Sequence, residues 1–166
     1  EKDEVGQQEF EELNKLLLHR AKLKAMSLLK YQDRTKKELK ERLMRAEFPE
    51  FITEGAVAYV ESFGYINDDA YIRNFIDSRK DKKSRREIYA LLRQKGVDMN
   101  RAEEIMEEMY EEHSDQEAIR ELLRKKHWDF ACTDPKEKQK IYGYLVRKGF
   151  RYEDIRQVIQ VCDWNA

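Results

Sequence analysis

The chain has 166 residues, of which 40% are charged and 40% hydrophobic, and its mean hydropathy is −0.94. These values exclude a membrane span, because no window approaches about 18 consecutive apolar residues. They do not indicate disorder, since aromatic residues reach 11%. The 33 basic and 34 acidic side chains nearly cancel, so total charge points to no ligand. Glycine (6) and proline (2) are scarce, which argues against β-sandwiches and barrels and favours an all-α fold.

The apolar periodicity and the helix-capping signals predict nine helices, beginning with a long one at about residues 8–32 that follows an acidic leader. Helix starts are indicated by capping boxes, in which a hydroxyl side chain precedes a glutamate by three residues, and by an aspartate before proline. The predicted cap residues are Thr35, Ser84, Ser114 and Asp134, with Asn67 or Asp68 and Asp98 before two further helices. Helix ends are indicated by glycines after apolar runs, at Gly64, Gly96 and Gly149.

The apolar pattern occurs three times along the chain. Leu28-Leu29, Phe75-Ile76 and Leu122-Leu123 follow one another at a spacing of 47 residues. Each unit has too few apolar residues for a large core of its own, so neighbouring units are expected to pack in a row. We therefore predict three tandem three-helix repeats in an elongated array. The predicted boundaries are an acidic leader that runs into the first helix at 1–17 and helical repeats at 18–66, 67–113 and 114–163.

Charges are segregated along the sequence. Residues 79–95 hold eight basic and two acidic side chains, whereas residues 101–117 hold one basic and eight acidic ones. Solvated helix faces explain any single lysine equally well. The segregation into blocks favours a surface that meets phosphates or an acidic protein groove. The predicted partner- or DNA-binding residues are Arg79, Lys82, Lys83, Arg85, Arg86, Arg124, Lys125, Lys126, Arg147 and Lys148.

Catalytic and metal-binding patterns are weak. The three histidines lie in different repeats and no histidine–cysteine spacing is typical of zinc. Asp68 and Asp69 could suggest a metal-dependent nuclease, but helix capping explains them more simply. We predict that the protein is not an enzyme and that it has no catalytic residue, metal ion or cofactor. The two cysteines, Cys132 and Cys162, are expected to be reduced thiols in a cytoplasmic protein.

Three stretches carry a family resemblance, and together they span most of residues 20–161. The first is Leu28–Leu43, which reads LLKYQDRTKKELKERL, and the second is Gly64–Tyr71, which reads GYINDDAY. The third is the Lys-Gly-apolar ending that occurs twice, above all in Arg147–Phe150. In this order, within a triple repeat, they resemble the RecX family of RecA regulators. Residues 77–86 depart from the family pattern because they contain no glycine.

The resemblance implies a regulatory protein that binds the RecA recombinase filament and inhibits its ATPase, its extension and strand exchange. Such a protein would modulate DNA repair, recombination and the SOS response. We expect a cytoplasmic monomer with no membrane contact that binds single- or double-stranded DNA weakly.

Two other functions stay open at this point. Three-helix units resemble helix-turn-helix domains, so an autonomous DNA-binding protein is the main alternative. It would bind bare duplex DNA tightly, as a dimer. A helical-repeat scaffold is the third possibility, in which the charge blocks only confer solubility.

Overall fold

The structure, a computed structural model, describes residues 2–110 and 114–163, and the side chains of residues 6–110 and 115–160. The described residues form nine α-helices and no strand, which confirms the predicted all-α repeat fold. The helices are α1 (Lys2–Tyr31), α2 (Lys36–Arg45), α3 (Glu50–Ser62), α4 (Asp68–Asp77), α5 (Arg85–Lys95), α6 (Met99–Met109), α7 (Ser114–Lys125), α8 (Pro135–Arg147) and α9 (Tyr152–Asp163). None of them is long and apolar enough to cross a bilayer.

The first helix begins earlier than the sequence pattern predicted. The acidic leader is part of α1, which starts at Lys2 rather than near residue 8. Glutamate, glutamine and leucine are good helix formers, so the leader continues the helix without an apolar face against a core. Phe10, Leu13 and Leu16 accordingly remain more than half exposed.

Helix caps form where the sequence predicted them. The Thr35 hydroxyl accepts a hydrogen bond from the Glu38 amide, and the Glu38 carboxylate accepts one from the Thr35 amide. Asp98 and Asp134 accept amide hydrogen bonds at the starts of α6 and α8. Of the two candidates before α4, Asn67 takes the capping position, because its side chain accepts from the Ala70 amide at 3.0 Å. The side chain of Ser114, like His113 and the side chain of Cys162, lies outside the described residues.

The backbone divides into two units, each with its own apolar interior. Among the described residues, unit 1 holds 2–71 together with Lys95–Val97. Its core is built by the inward faces of α1, α2 and α3, and the two alanines of α1 have no exposed surface. Small side chains there let the helices approach closely. The buried residues are Ala21, Ala25, Leu39, Leu43, Ile52, Ala56, Val60 and Ile66.

Unit 2 holds residues 72–94 and 98 onward. Buried apolar side chains recur on α4, α5 and α6 and on α7, α8 and α9, although Leu122 of the recurring pattern is only partly buried. The cluster of the last three helices comprises Ala118, Ile119, Leu123, Ile141, Leu145, Phe150, Ile155, Val158 and Ile159. The exact boundaries of the three repeats stay a prediction.

Candidate partner-binding site

In unit 1, the start of α2 is tied to two segments that are distant in the sequence. The Thr35 hydroxyl donates to the Lys95 carbonyl at 2.8 Å. The next amide, that of Lys36, donates to the Asp68 carboxylate at 2.9 Å. Since the first amides of a helix have no partner within the helix, a carboxylate from elsewhere satisfies one of them. We call Thr35–Glu38, Asp68 and Lys95–Gly96 the first junction.

In unit 2, the start of α5 is tied in the same way. The Ser84 hydroxyl donates to the Lys148 carbonyl at 2.7 Å, and the Arg85 amide donates to the Asp115 carboxylate at 3.0 Å. The hydroxyl residue, the amide donor, the carboxylate and the Lys-Gly turn occur in the same order as in unit 1. We call Ser84–Glu87, Asp115 and Lys148–Gly149 the second junction. The two junctions are duplicates of one backbone arrangement.

Glycine is required at both turns. Gly96 has φ 72° and Gly149 has φ 96°, in the left-handed region that other residues rarely adopt. A Cβ at Gly149 would lie 2.8 Å from the Ser84 hydroxyl oxygen. A Cβ at Gly96 would instead overlap the side chain of Lys37. The glycine gives each turn no side chain at this position, and the side chain of a basic residue in the adjoining helix packs against it.

The two junction carboxylates are partly buried. Burial raises the pKa of Asp68 and of Asp115 above the ordinary value, and the hydrogen bonds from the Lys36 and Arg85 amides oppose the rise. Both carboxylates therefore serve as acceptors for helix amides rather than as exposed charges.

The basic side chains of the first junction are largely paired. Lys36 forms an ion pair with Glu61, and the Lys95 ammonium lies 2.8 Å from a Glu38 carboxylate oxygen. This hydrogen bond raises the pKa of Lys95. Only Lys37, which lies across Gly96, has no acidic partner among the described residues.

The second junction differs from the first in how its charged side chains are paired. Glu87, the counterpart of Glu38, pairs with Lys83, so it does not neutralise the lysine of the Lys-Gly turn. In the described part of the chain no acidic side chain forms an ion pair with Arg86, Arg147 or Lys148. All three are exposed. Both junctions hold three basic and two acidic side chains, and they differ in pairing: among the described residues Lys37 has no acidic partner at the first junction, whereas Arg86 and Lys148 have none at the second.

Two clefts of unit 2 meet at Arg86 and Gly149. The larger, of about 690 Å³, is lined by Arg85, Arg86, Tyr89, Glu103, Met106, Asp115, Gly149, Phe150 and Arg151. The smaller, of about 570 Å³, is lined by Arg86, Glu87, Ala90, Val146, Arg147, Lys148 and Gly149. The structure thus brings together four of the predicted binding residues, Arg85, Arg86, Arg147 and Lys148. We call these two clefts and their rims the cationic saddle.

Other predicted binding residues line neither cleft. Arg79 folds back on its own helix: its guanidinium lies 3.8 Å from the centre of the Phe75 ring and donates to the Phe75 carbonyl at 3.3 Å. Lys83 is engaged by Glu87, whereas Lys82 is exposed and has no ion pair among the described residues. Of the three, Lys82 has the most available charge.

The predicted residues at the end of α7 form a separate group. Arg124 makes two hydrogen bonds to the Glu121 carboxylate, at 2.9 and 3.0 Å, and Lys125 lies 3.4 Å from the same group. Lys126 places its ammonium 4.2 Å from the centre of the Tyr144 ring. A cleft of about 430 Å³ is lined by Lys125, Lys126, Trp128, Glu137, Lys140, Ile141 and Tyr144. Helix α8 borders this cleft and the smaller cleft of the saddle.

The set of predicted binding residues left out three residues that line these clefts, Tyr89, Arg151 and Lys140. Tyr89 lies one helical turn after Arg85, and Arg151 follows Gly149 by two residues. Tyr89 and Arg151 lie near predicted binding residues in the sequence, but sequence spacing cannot show that their side chains line the same cleft. The described residues contain no group of three histidine, cysteine or acidic side chains that could hold a metal.

The family models match two parts of the chain. Residues 21–59 match the first three-helix domain of RecX, and residues 114–159 match its third three-helix domain. A regulatory protein RecX from Caldanaerobacter subterraneus subsp. tengcongensis is 30% identical over 142 residues, which cover 85% of this chain and 70% of that protein. The chain belongs to the RecX family.

Further members agree with this assignment. A regulatory protein RecX from Amycolatopsis mediterranei is 32% identical over 134 residues, covering 79% of this chain and 76% of the relative. The crystal structure of RecX from Lactobacillus salivarius superimposes with a TM-score of 0.74 and 26% identity, covering 89% of this chain and 97% of that one. The chain is therefore a member of a family of regulatory proteins, with the family's helical fold.

Proposed function

We propose that the chain regulates a RecA recombinase by binding its DNA filament and inhibiting ATP hydrolysis, filament extension and strand exchange. Membership of the RecX family supports the regulatory role. The observation that carries the binding proposal is the set of exposed, unpaired cations in unit 2, because unpaired cations keep their charge available for a partner. In this proposal the chain acts as a cytoplasmic monomer and contacts DNA weakly.

The proposed contacts are the ten basic residues predicted from the sequence. We rank them by whether each already forms an ion pair within the chain. Lys82, Arg86, Arg147 and Lys148 have no acidic partner among the described residues and come first. Lys126 lies over the Tyr144 ring, and Lys83, Arg85, Arg124 and Lys125 must give up an intramolecular ion pair. Arg79 contributes least, because its guanidinium already caps the end of α4.

The test is inhibition of the single-stranded-DNA-dependent ATPase of RecA. A quadruple alanine variant of Lys82, Arg86, Arg147 and Lys148 is expected to need at least about tenfold more protein for half-inhibition. The matched control removes four cations from unit 1, at Lys36, Lys37, Lys40 and Arg45, and should stay within about twofold. Equal potency of the two variants would exclude the unit 2 cations. No inhibition by the unmodified chain would exclude the function.

Autonomous binding to duplex DNA is the second candidate, because the same unpaired cations could neutralise phosphates. It predicts a gel shift of bare duplex that needs no RecA and weakens steeply with salt. The RecA-dependent proposal predicts that much more of the chain binds to DNA that carries a RecA filament than to bare DNA. Running the salt titration with and without RecA separates the two.

A further inference from the structure

The cationic saddle combines two features that one kind of ligand satisfies. Its rim carries guanidinium and ammonium groups without acidic partners among the described residues, those of Arg86, Arg147 and Lys148, and its larger cleft also holds the half-buried ring of Tyr89. We propose that the saddle binds an extended acidic peptide segment on the surface of the protein partner. The inference rests on the proposed function, since the partner is the RecA filament.

Charge selects the acidic residues of that segment. Arg86 stands where the two clefts meet, and Arg147 and Lys148 line the smaller one. Guanidinium groups bind carboxylates through two parallel hydrogen bonds, which fixes the orientation of the bound group. Because these cations have no intramolecular partner among the described residues, binding does not require an existing ion pair to break.

The apolar part of the larger cleft argues for a peptide rather than duplex DNA. An aliphatic or aromatic side chain of a peptide can pack against the half-buried Tyr89 ring, whereas the phosphates along the outside of a duplex cannot. Two carboxylates, those of Glu103 and Asp115, also line this cleft. They would repel a strand with a negative charge at every nucleotide. A peptide can space its acidic residues so that they face the arginines and avoid Glu103.

The first junction supplies the internal comparison. It has the same backbone arrangement, but two of its three lysines, Lys36 and Lys95, pair with Glu61 and Glu38. The second junction and its neighbour Arg147 carry three exposed cations without an acidic partner among the described residues, against Lys37 alone at the first. This larger number of unpaired cations favours the second junction, rather than the first, as the binding surface.

The experiment uses immobilised overlapping peptides that together span the sequence of RecA. The full chain should be retained by peptides that combine several acidic residues with an apolar one. Replacing Arg86 and Lys148 with alanine should weaken this binding by about tenfold, as measured by fluorescence anisotropy with the retained peptide. The control variant, Lys37→Ala with Lys95→Ala, changes the corresponding positions of the first junction and should bind within about twofold of the unmodified chain.

Three outcomes would overturn the inference: retention only of peptides without acidic residues, equal loss in both variants, or displacement of the peptide by an equal concentration of duplex or single-stranded DNA. Inhibition of the RecA ATPase by the unmodified chain is measured in parallel. If inhibition persists while no acidic peptide is retained, the saddle inference fails and the proposed function stands. If inhibition is absent, the proposed function fails as well.

Discussion

The two junctions have the same architecture but different surfaces. In each, a buried hydroxyl joins a helix start to the carbonyl before a glycine turn, and a carboxylate accepts the following amide. Around this frame, Lys36 and Lys95 of the first junction pair with glutamates, while Arg86, Arg147 and Lys148 at the second are exposed and have no acidic partner among the described residues. The comparison shows that the buried polar contacts keep the fold constant, whereas the exposed charges are free to differ between repeats.

The largest expected effect comes from the glycine turns. Gly149→Ala should destabilise the chain by about 2–4 kcal/mol, because a left-handed residue other than glycine is strained and its Cβ would displace the Ser84 hydroxyl. Gly96→Ala should cost about 1–2 kcal/mol, since its Cβ meets the flexible Lys37 side chain, which can swing aside. Urea unfolding measures both. A Gly96→Ala loss larger than that of Gly149→Ala would contradict this ranking.

The buried hydroxyls come next. Ser84→Ala and Thr35→Ala should each cost about 2 kcal/mol, because each removes a helix cap and leaves a distant carbonyl without its donor. Ser84→Thr and Thr35→Ser keep the hydroxyl and should cost about 1 kcal/mol, less than the alanine variants, because each changes the buried site by one methyl group. Thermal unfolding of the four variants checks the equivalence of the junctions. A cost confined to one of the two alanine variants would show that the duplicated bonds are not energetically equivalent.

A smaller effect concerns pH. Burial raises the folded-state pKa of Asp115, so folding favours its protonated form. Its contribution to the unfolding free energy therefore rises as pH falls through the folded pKa towards the ordinary value of 3.8. Asp115→Asn keeps an acceptor oxygen but does not titrate. As pH falls over that range, the unfolding free energy of the unmodified chain should therefore rise relative to that of the variant. Asp68→Asn should behave in the same direction, and urea unfolding at several pH values measures it.

The smallest expected effect on stability comes from the paired glutamates of unit 1. Changing both Glu38 and Glu61 to glutamine should cost less than about 1 kcal/mol, because both ion pairs are partly exposed. The change should make the first junction cationic and raise its affinity for the acidic peptide that binds the saddle. Anisotropy in a background with Arg86→Ala and Lys148→Ala isolates this gain. Unchanged affinity would mean that the apolar cleft, rather than charge, distinguishes the second junction.

Much of the fold was predictable from the sequence because its signals are local. The capping hydroxyl of Thr35 and its glutamate lie three residues apart, and the glycine of each turn directly follows its helix or the residue that caps it. Apolar positions at helical spacing predicted the buried face of each helix. Among the described residues the start of α1 was misplaced, because a charged, well-formed helix without a buried face leaves no apolar periodicity to detect.

The binding surface was less predictable, because it depends on side chains that meet only in the folded chain. The charge blocks correctly indicated where basic residues lie in the sequence, and all ten candidates lie in unit 2. They could not show that the Arg79 guanidinium donates to a carbonyl of its own helix, or that Glu38 neutralises a lysine 57 residues away. Local backbone preferences and apolar periodicity thus determined the helices, and the resemblance of three sequence stretches to the RecX family indicated the family. Tertiary structure decided which cations stay available, since ion pairing depends on distances that sequence separation does not determine.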